Sequence, residues 1–102
     1  MQGMLKQAQK MQADMAAYQE ELETREFESS AGGGMVTVAM YGNKQVKSIK
    51  ISPDVVDSDD IETLEDLVVA AVNGTLKQIE EITAEEMSKF TGGMPDLGGL
   101  LG

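Results

Sequence analysis

Histidine and cysteine are both missing from this 102-residue chain, and each absence removes chemistry. Without cysteine there are neither disulfides nor thiolate metal sites. Without histidine the commonest general base and the commonest metal ligand are gone. Tryptophan is absent as well, with only two Phe and two Tyr, so a monomeric core must rest on Met, Val, Ile, Leu and Ala. No apolar run approaches the roughly 20 residues of a membrane span. Gln and Lys interrupt the N-terminus where a signal peptide would need an apolar stretch. One small cytoplasmic domain is the expectation. What the chain has instead is eight methionines, side chains that fill irregular and adaptable contacts well.

Charge is unevenly distributed. The net charge is −10, with 18 acids against 8 basic residues. Two stretches nevertheless hold five of the basic residues and none of the acids: Lys6 and Lys10 in residues 1–13, and Lys44, Lys47 and Lys50 in residues 29–53. Residues 14–28 set one Arg against six acids, and residues 54–102 set two Lys against twelve. Net charge governs solubility and partner choice rather than fold, so the whole-chain value argues against a nucleic-acid binder while the two basic islands keep that option open.

Periodicity divides the chain into helix, strands and helix. Met4, Ala8, Met11, Met15, Tyr18 and Leu22 recur at spacings of four and three, a narrow heptad-like seam suited to a partner helix or an edge contact. Neither Gly nor Pro interrupts residues 4–25, so this helix can run about 33 Å. Thr24–Ser30 has strand propensity around Phe27, and Ala31-Gly32-Gly33-Gly34 is a turn. Val36, Val38 and Met40 alternate with Thr37, Ala39 and Tyr41 as a half-buried strand. Gly42-Asn43 reads as a two-residue hairpin loop because both residues tolerate positive φ. Ile49 and Ile51 alternate with Ser48 and Lys50 in a third strand that Pro53 ends.

Helical period returns over residues 58–90. Ser58 is the expected N-cap, with Asp59, Asp60 and Glu62 at the positive end of the helix dipole. Ile61, Leu64, Val68, Ala71, Val72, Thr75, Ile79 and Ile82 make a broad apolar face, flanked by Leu67, Val69 and Leu76. Gly74 sits mid-helix, which points to close packing or a mild kink. Residues 91–102 are Gly-rich without period and read as a flexible tail. The fold class is therefore α+β: an α-β-β-β-α order with a three-stranded antiparallel meander between a long N-terminal and a C-terminal helix. One helix covers one face of such a sheet, so self-association into a twofold dimer is expected to bury the rest.

Candidate chemistry is sparse. Asp59/Asp60 and Glu85/Glu86 read as caps or solvated helix faces. Asp54, Asp57, Asp59 and Asp60 lack the glycine and terminal bidentate Glu of a calcium loop. Gly32–Gly34 lacks the Lys-Ser/Thr of a phosphate loop and does not open a helix. No nucleophile has a base partner, so the chain reads as non-enzymatic, with no cofactor, metal or small-molecule substrate. The polar face of the first helix is more informative: Lys6 and Lys10 lie one turn apart, flanked by Gln2 and Gln9, and Lys with Gln contacts phosphates and base edges. An ordinary solvated helix face would look the same. Lys44, Lys47 and Lys50 are equally open, since Lys on a short strand also blocks edge aggregation.

Four ordered blocks tip that balance. Met4-Leu5-Lys6-Gln7-Ala8-Gln9-Lys10-Met11-Gln12, Ala31-Gly32-Gly33-Gly34-Met35-Val36-Thr37-Val38, Ile51-Ser52-Pro53 and Leu64–Asn73 closely resemble the YbaB/EbfC family of bacterial nucleoid-associated proteins, as does the Gly-Met-Pro…Leu tail. The chain departs from the family's pattern at Ser48, Lys50 and Gly74-Thr75. The resemblance implies residues 1–90 as a single DNA-binding domain and an intertwined homodimer whose N-terminal helices protrude like tweezers. It also implies a nucleoid location in the cytoplasm, binding of double-stranded DNA, nucleoid organisation and regulation of gene expression. Lys6, Gln9, Lys10, Lys44 and Lys47 are the expected DNA contacts, with no membrane partner. The competing expectation is a protein-interaction module that grips a partner through its Met-rich helices.

Overall fold

The computed structural model describes residues 2–90, and the expected tail at 91–102 lies outside the described residues. Helix α1 spans Gln2–Thr24, strands β1, β2 and β3 span Glu26–Ala31, Val36–Tyr41 and Val46–Ile51, and helix α2 spans Ile61–Phe90 after a short 3₁₀ turn at Pro53–Val55. The sheet is antiparallel throughout in the order β1-β2-β3, which is the expected α-β-β-β-α subunit. Thr24 belongs to α1 rather than to the first strand, its hydroxyl donating back to the Glu21 carbonyl. Among the described residues no helix is long and apolar enough to cross a membrane.

The two hairpins close by different means. Gly32, Gly33 and Gly34 have φ values of 65°, 66° and 92°, three successive left-handed residues that side chains with a Cβ tolerate poorly. In the second hairpin the positive φ falls on Lys44, at 70°, and on neither Gly42 nor Asn43. The Lys44 amide donates to the Tyr41 carbonyl and the Tyr41 amide to the Gln45 carbonyl. The loop is thus three residues long and ends in a left-handed position. Gly42 is there for another reason: a Cβ on it would stand 2.1 Å from the carbonyl oxygen of Leu22 in α1. Gly42→Ala is therefore expected to lower stability by about 1–3 kcal/mol, read by urea denaturation, with faster amide exchange in the last turns of α1.

Register follows from that loop and from a bulge. A two-residue loop would pair Val36 with Ile49, whereas Val38 faces Ile49 and Val36 faces Ile51. One residue of this offset comes from the longer loop. The other comes from a bulge beside Ala39/Met40 that leaves Lys47 without a partner, since Ser48 pairs with Ala39 and Val46 with Met40. Val46 and Ile49 are three residues apart, so strict alternation would set them on opposite faces. The bulge returns Val46, Ile49 and Ile51 to one face.

Helix α2 covers that face over β1 and β2. Phe27, Val36, Val38 and Met40 from the sheet and Ala71 and Ile79 from α2 form the buried core. Thr75 is fully buried, its hydroxyl shared between the Ala71 carbonyl at 2.8 Å and the Val38 carbonyl at 3.2 Å. Gly74 allows the approach to β1, because a Cβ there would meet the Ser29 hydroxyl at 2.8 Å. Asp60, not Ser58, caps α2: its carboxylate accepts from the Thr63 amide and hydroxyl. A carboxylate one residue before Ile61 reaches the free amides of the first turn, and Ser58 stands too far upstream.

What remains uncovered differs from expectation. The second face of the sheet is mostly polar, with Glu28, Ser30, Thr37, Ser48 and Lys50 set around the buried Ala39 and the half-buried Tyr41. The exposed apolar surface lies instead on the α2 side at the unpaired edge: Val46, Ile49 and Ile51 are 48%, 43% and 42% exposed, although the residues they face on β2 are buried. Helix α2 does not reach that far across the sheet.

Candidate nucleic-acid interface

Helix α1 stands away from the body. Residues 3–14 are exposed, and only Met15, Tyr18 and Leu22 further along the helix are half-buried. The radius of gyration is 19.3 Å, against about 13 Å for a compact chain of 100 residues. The apolar seam is accordingly used only in its second half, as an edge contact. Met4 and Leu5 at its free end are 74% and 61% exposed.

Lys6, Gln9 and Lys10 all sit on this free arm and are exposed. Among the described residues neither lysine forms an ion pair, and the first turn carries no acid. Their charges are therefore available to an external anion. Among the described residues the arm is held at its base. Arg25, the single residue between α1 and β1, places Nη1 2.8 and 2.9 Å from the two carboxylate oxygens of Glu86 on α2. The Tyr18 hydroxyl donates to the same Glu86 Oε1 at 2.7 Å. The Arg25 guanidinium, aided by that hydroxyl, holds the Glu86 carboxyl below the usual carboxylate range. Burial, then the adjacent carboxylate, pushes the Tyr18 phenol up. Arg25 also lies over the Phe27 ring at 5.1 Å.

Lys44 and Lys47 are placed differently. Lys44 Nζ lies 3.7 Å from Glu80 on α2, and Lys47, aimed across β2 by the bulge, bonds Glu26 on β1. That carboxylate raises the Lys47 ammonium above its ordinary value. Lys50 forms no ion pair among the described residues. Because Gly42 packs on Leu22, the hairpin adjoins the base of α1, and Lys6 and Lys10 stand about 24 and 18 Å further out along the helix. The expected contacts thus form two groups, one free and one already engaged by carboxylates. Sequence reasoning missed Glu26, Glu80 and Glu86 as partners. The Glu26–Lys47 pair was recoverable only with the correct hairpin register.

Comparison with known proteins decides the family. The YbaB/EbfC DNA-binding family model matches residues 1–94. The chain belongs to the YbaB/EbfC DNA-binding family. A nucleoid-associated protein of Clostridium botulinum is 58% identical over 100 residues, covering 98% of this chain and 87% of that protein. Another from Acetivibrio thermocellus is 53% identical over 97 residues, covering 95% and 86%. The crystal structure of an uncharacterised protein from Helicobacter pylori superposes with a TM-score of 0.70 over 82% of this chain and 88% of that one. At 21% identity that likeness speaks for the fold alone.

Proposed function

We propose that this YbaB/EbfC member is a nucleoid-associated protein that binds double-stranded DNA as a homodimer, with the protruding α1 helices as its principal contact, and so contributes to nucleoid organisation and gene regulation. The observation that carries this reading is the placement of Lys6, Gln9 and Lys10 on the exposed outer part of α1, where residues 3–13 carry no acid, in a chain of net charge −10. Self-association through β3 is supported by Val46, Ile49 and Ile51, an exposed apolar row on a strand that pairs on one side only among the described residues. A dimer carries twice the chain's net charge of −10, so duplex DNA is repelled from most of its surface and held only at the arms and the hairpin. The exposed stretch from residue 3 to 14 spans about 17 Å, or about five base-pair steps of 3.4 Å.

A gel-shift series in increasing salt tests this directly. Few phosphate contacts on an acidic background imply modest affinity, weak sequence preference and retention largely lost between about 50 and 200 mM salt. Retention at low salt that did not weaken across that range would contradict a phosphate mechanism. Absence of any binding at low salt would favour the second reading, a module gripping a partner protein, which the exposure of Met4, Leu5 and Met11 supports.

Glu26 should act against DNA binding. It competes with phosphate for Lys47 through an exposed ion pair, of a kind that contributes little to stability. Glu26→Gln is expected to raise duplex affinity about two- to fivefold at low salt while leaving the thermal midpoint nearly unchanged. Equal affinity for both proteins would place Lys47 outside the DNA contact.

A further inference from the structure

We propose that Glu86 is a positioning residue that fixes the angle of α1 against the body, and thereby the geometry in which the arm meets its ligand. The inference rests on the reading of α1 as the DNA-contacting arm. Its structural part stands on the joint itself. Arg25 alone separates α1 from β1, so a change in the dihedrals of one residue can re-aim the whole helix. Packing resists this weakly, because only Met15, Tyr18 and Leu22 of α1 are even half-buried within residues 3–24.

One carboxylate adds a side-chain restraint to the backbone bonds at Arg25, whose amide donates to the Glu21 and Leu22 carbonyls and whose carbonyl accepts from the Gly42 amide. Glu86 accepts from Tyr18, two helical turns up the arm, and from Arg25 at the joint itself. Two points along one lever are thus tied to a third point on α2, which fixes a direction and not merely a distance. Both bonds are to an ionised group, and such bonds are about twice as strong as neutral ones. The lever makes small angles matter: Lys6 lies about 28 Å from the joint, so a 10° swing carries it about 5 Å, more than one base-pair step.

The absence of cysteine from the chain allows clean site-specific labelling. Ala8→Cys with Ser58→Cys, both at exposed positions, would carry a spin-label pair. Dilution with excess unlabelled protein leaves at most one labelled chain per particle. Pulsed dipolar spectroscopy should give one narrow distance distribution for the parent. Glu86→Ala should widen it about twofold and reduce duplex retention about tenfold, with circular dichroism and particle mass unchanged. Tyr18→Phe, which keeps the packing and removes one hydroxyl, should widen it less. Glu86→Gln should stay nearer the parent, since its amide oxygen still accepts from both partners. An unchanged distribution in Glu86→Ala would overturn the proposal. If that variant does not fold, an unchanged distribution in Tyr18→Phe would do the same. A widened distribution with undiminished DNA retention would support the positioning role and overturn instead the assignment of DNA binding to α1.

Discussion

Lys6→Glu combined with Lys10→Glu is expected to abolish the gel shift while leaving circular dichroism and particle mass unchanged. Both residues lie on the part of α1 that contributes nothing to the core, and neither is ion-paired among the described residues. Their reversal therefore costs the fold little. In a dimer the change removes four positive charges and adds four negative ones at the arms. Each phosphate contact contributes about −0.9 to the slope of log affinity against log salt, so the slope should fall by about 4 and affinity by on the order of a thousandfold at low salt. Lys77 and Lys89 serve as the control, since both are set among acids on α2 and Lys77 lies 3.9 Å from Glu81. Charge reversal there should matter little. Full binding by the arm variant would remove α1 from the mechanism.

The second large effect separates two residues that face each other across the sheet. Val38 and Ile49 are register partners, yet Val38 is fully buried and Ile49 is 43% exposed. Their locations on sequence pattern alone look alike, and both would be expected to unfold the chain when charged. The uncovered edge of the sheet divides the outcomes. Val38→Asp places a carboxylate in an apolar core with no counter-charge, at a cost of several kcal/mol, and should abolish the cooperative thermal transition. Ile49→Asp leaves that core intact and should shift the particle mass toward the 10.9 kDa monomer, with helical circular dichroism retained. If Ile49→Asp kept a parent particle mass above 10.9 kDa, the proposed contact between chains would lie elsewhere than on the β3 edge.

Local patterns in the sequence were legible, and pairings between distant residues were not. The periodicity of Leu64–Ile82, the alternation of Val36–Tyr41 and the three glycines of the first turn each depend on neighbours in the chain, and the structure carries all three. The second hairpin failed locally because Gly42 has two uses in principle. Positive φ is the common one, whereas contact with the Leu22 carbonyl depends on where a helix 20 residues away ends. The cap of α2 failed by two residues, since Ser58 and Asp60 are both good caps and only the hydrogen bonds to Thr63 distinguish them. Among the expected contacts, Lys6, Gln9 and Lys10 kept the exposed character that an acid-free segment suggests. Lys44 and Lys47 did not stay free, because Glu80 and Glu26 come from remote elements. Glu86 looked like one more solvated acid beside Glu85, and its ties to Tyr18 and Arg25 span 68 and 61 residues.

The bulge gives the third strand an unusual tolerance to change in length. Removing Lys47 would bring Val46 directly before Ser48, and the sequence Val-Ser-Ile-Lys-Ile would then alternate strictly with the same partners on β2. Every apolar residue would keep its face. An insertion at the same place would instead reverse one end of the strand. Position 47 is therefore dispensable to the architecture, and the basic character of the hairpin can be gained or lost there by a single codon without disturbing the core beneath it.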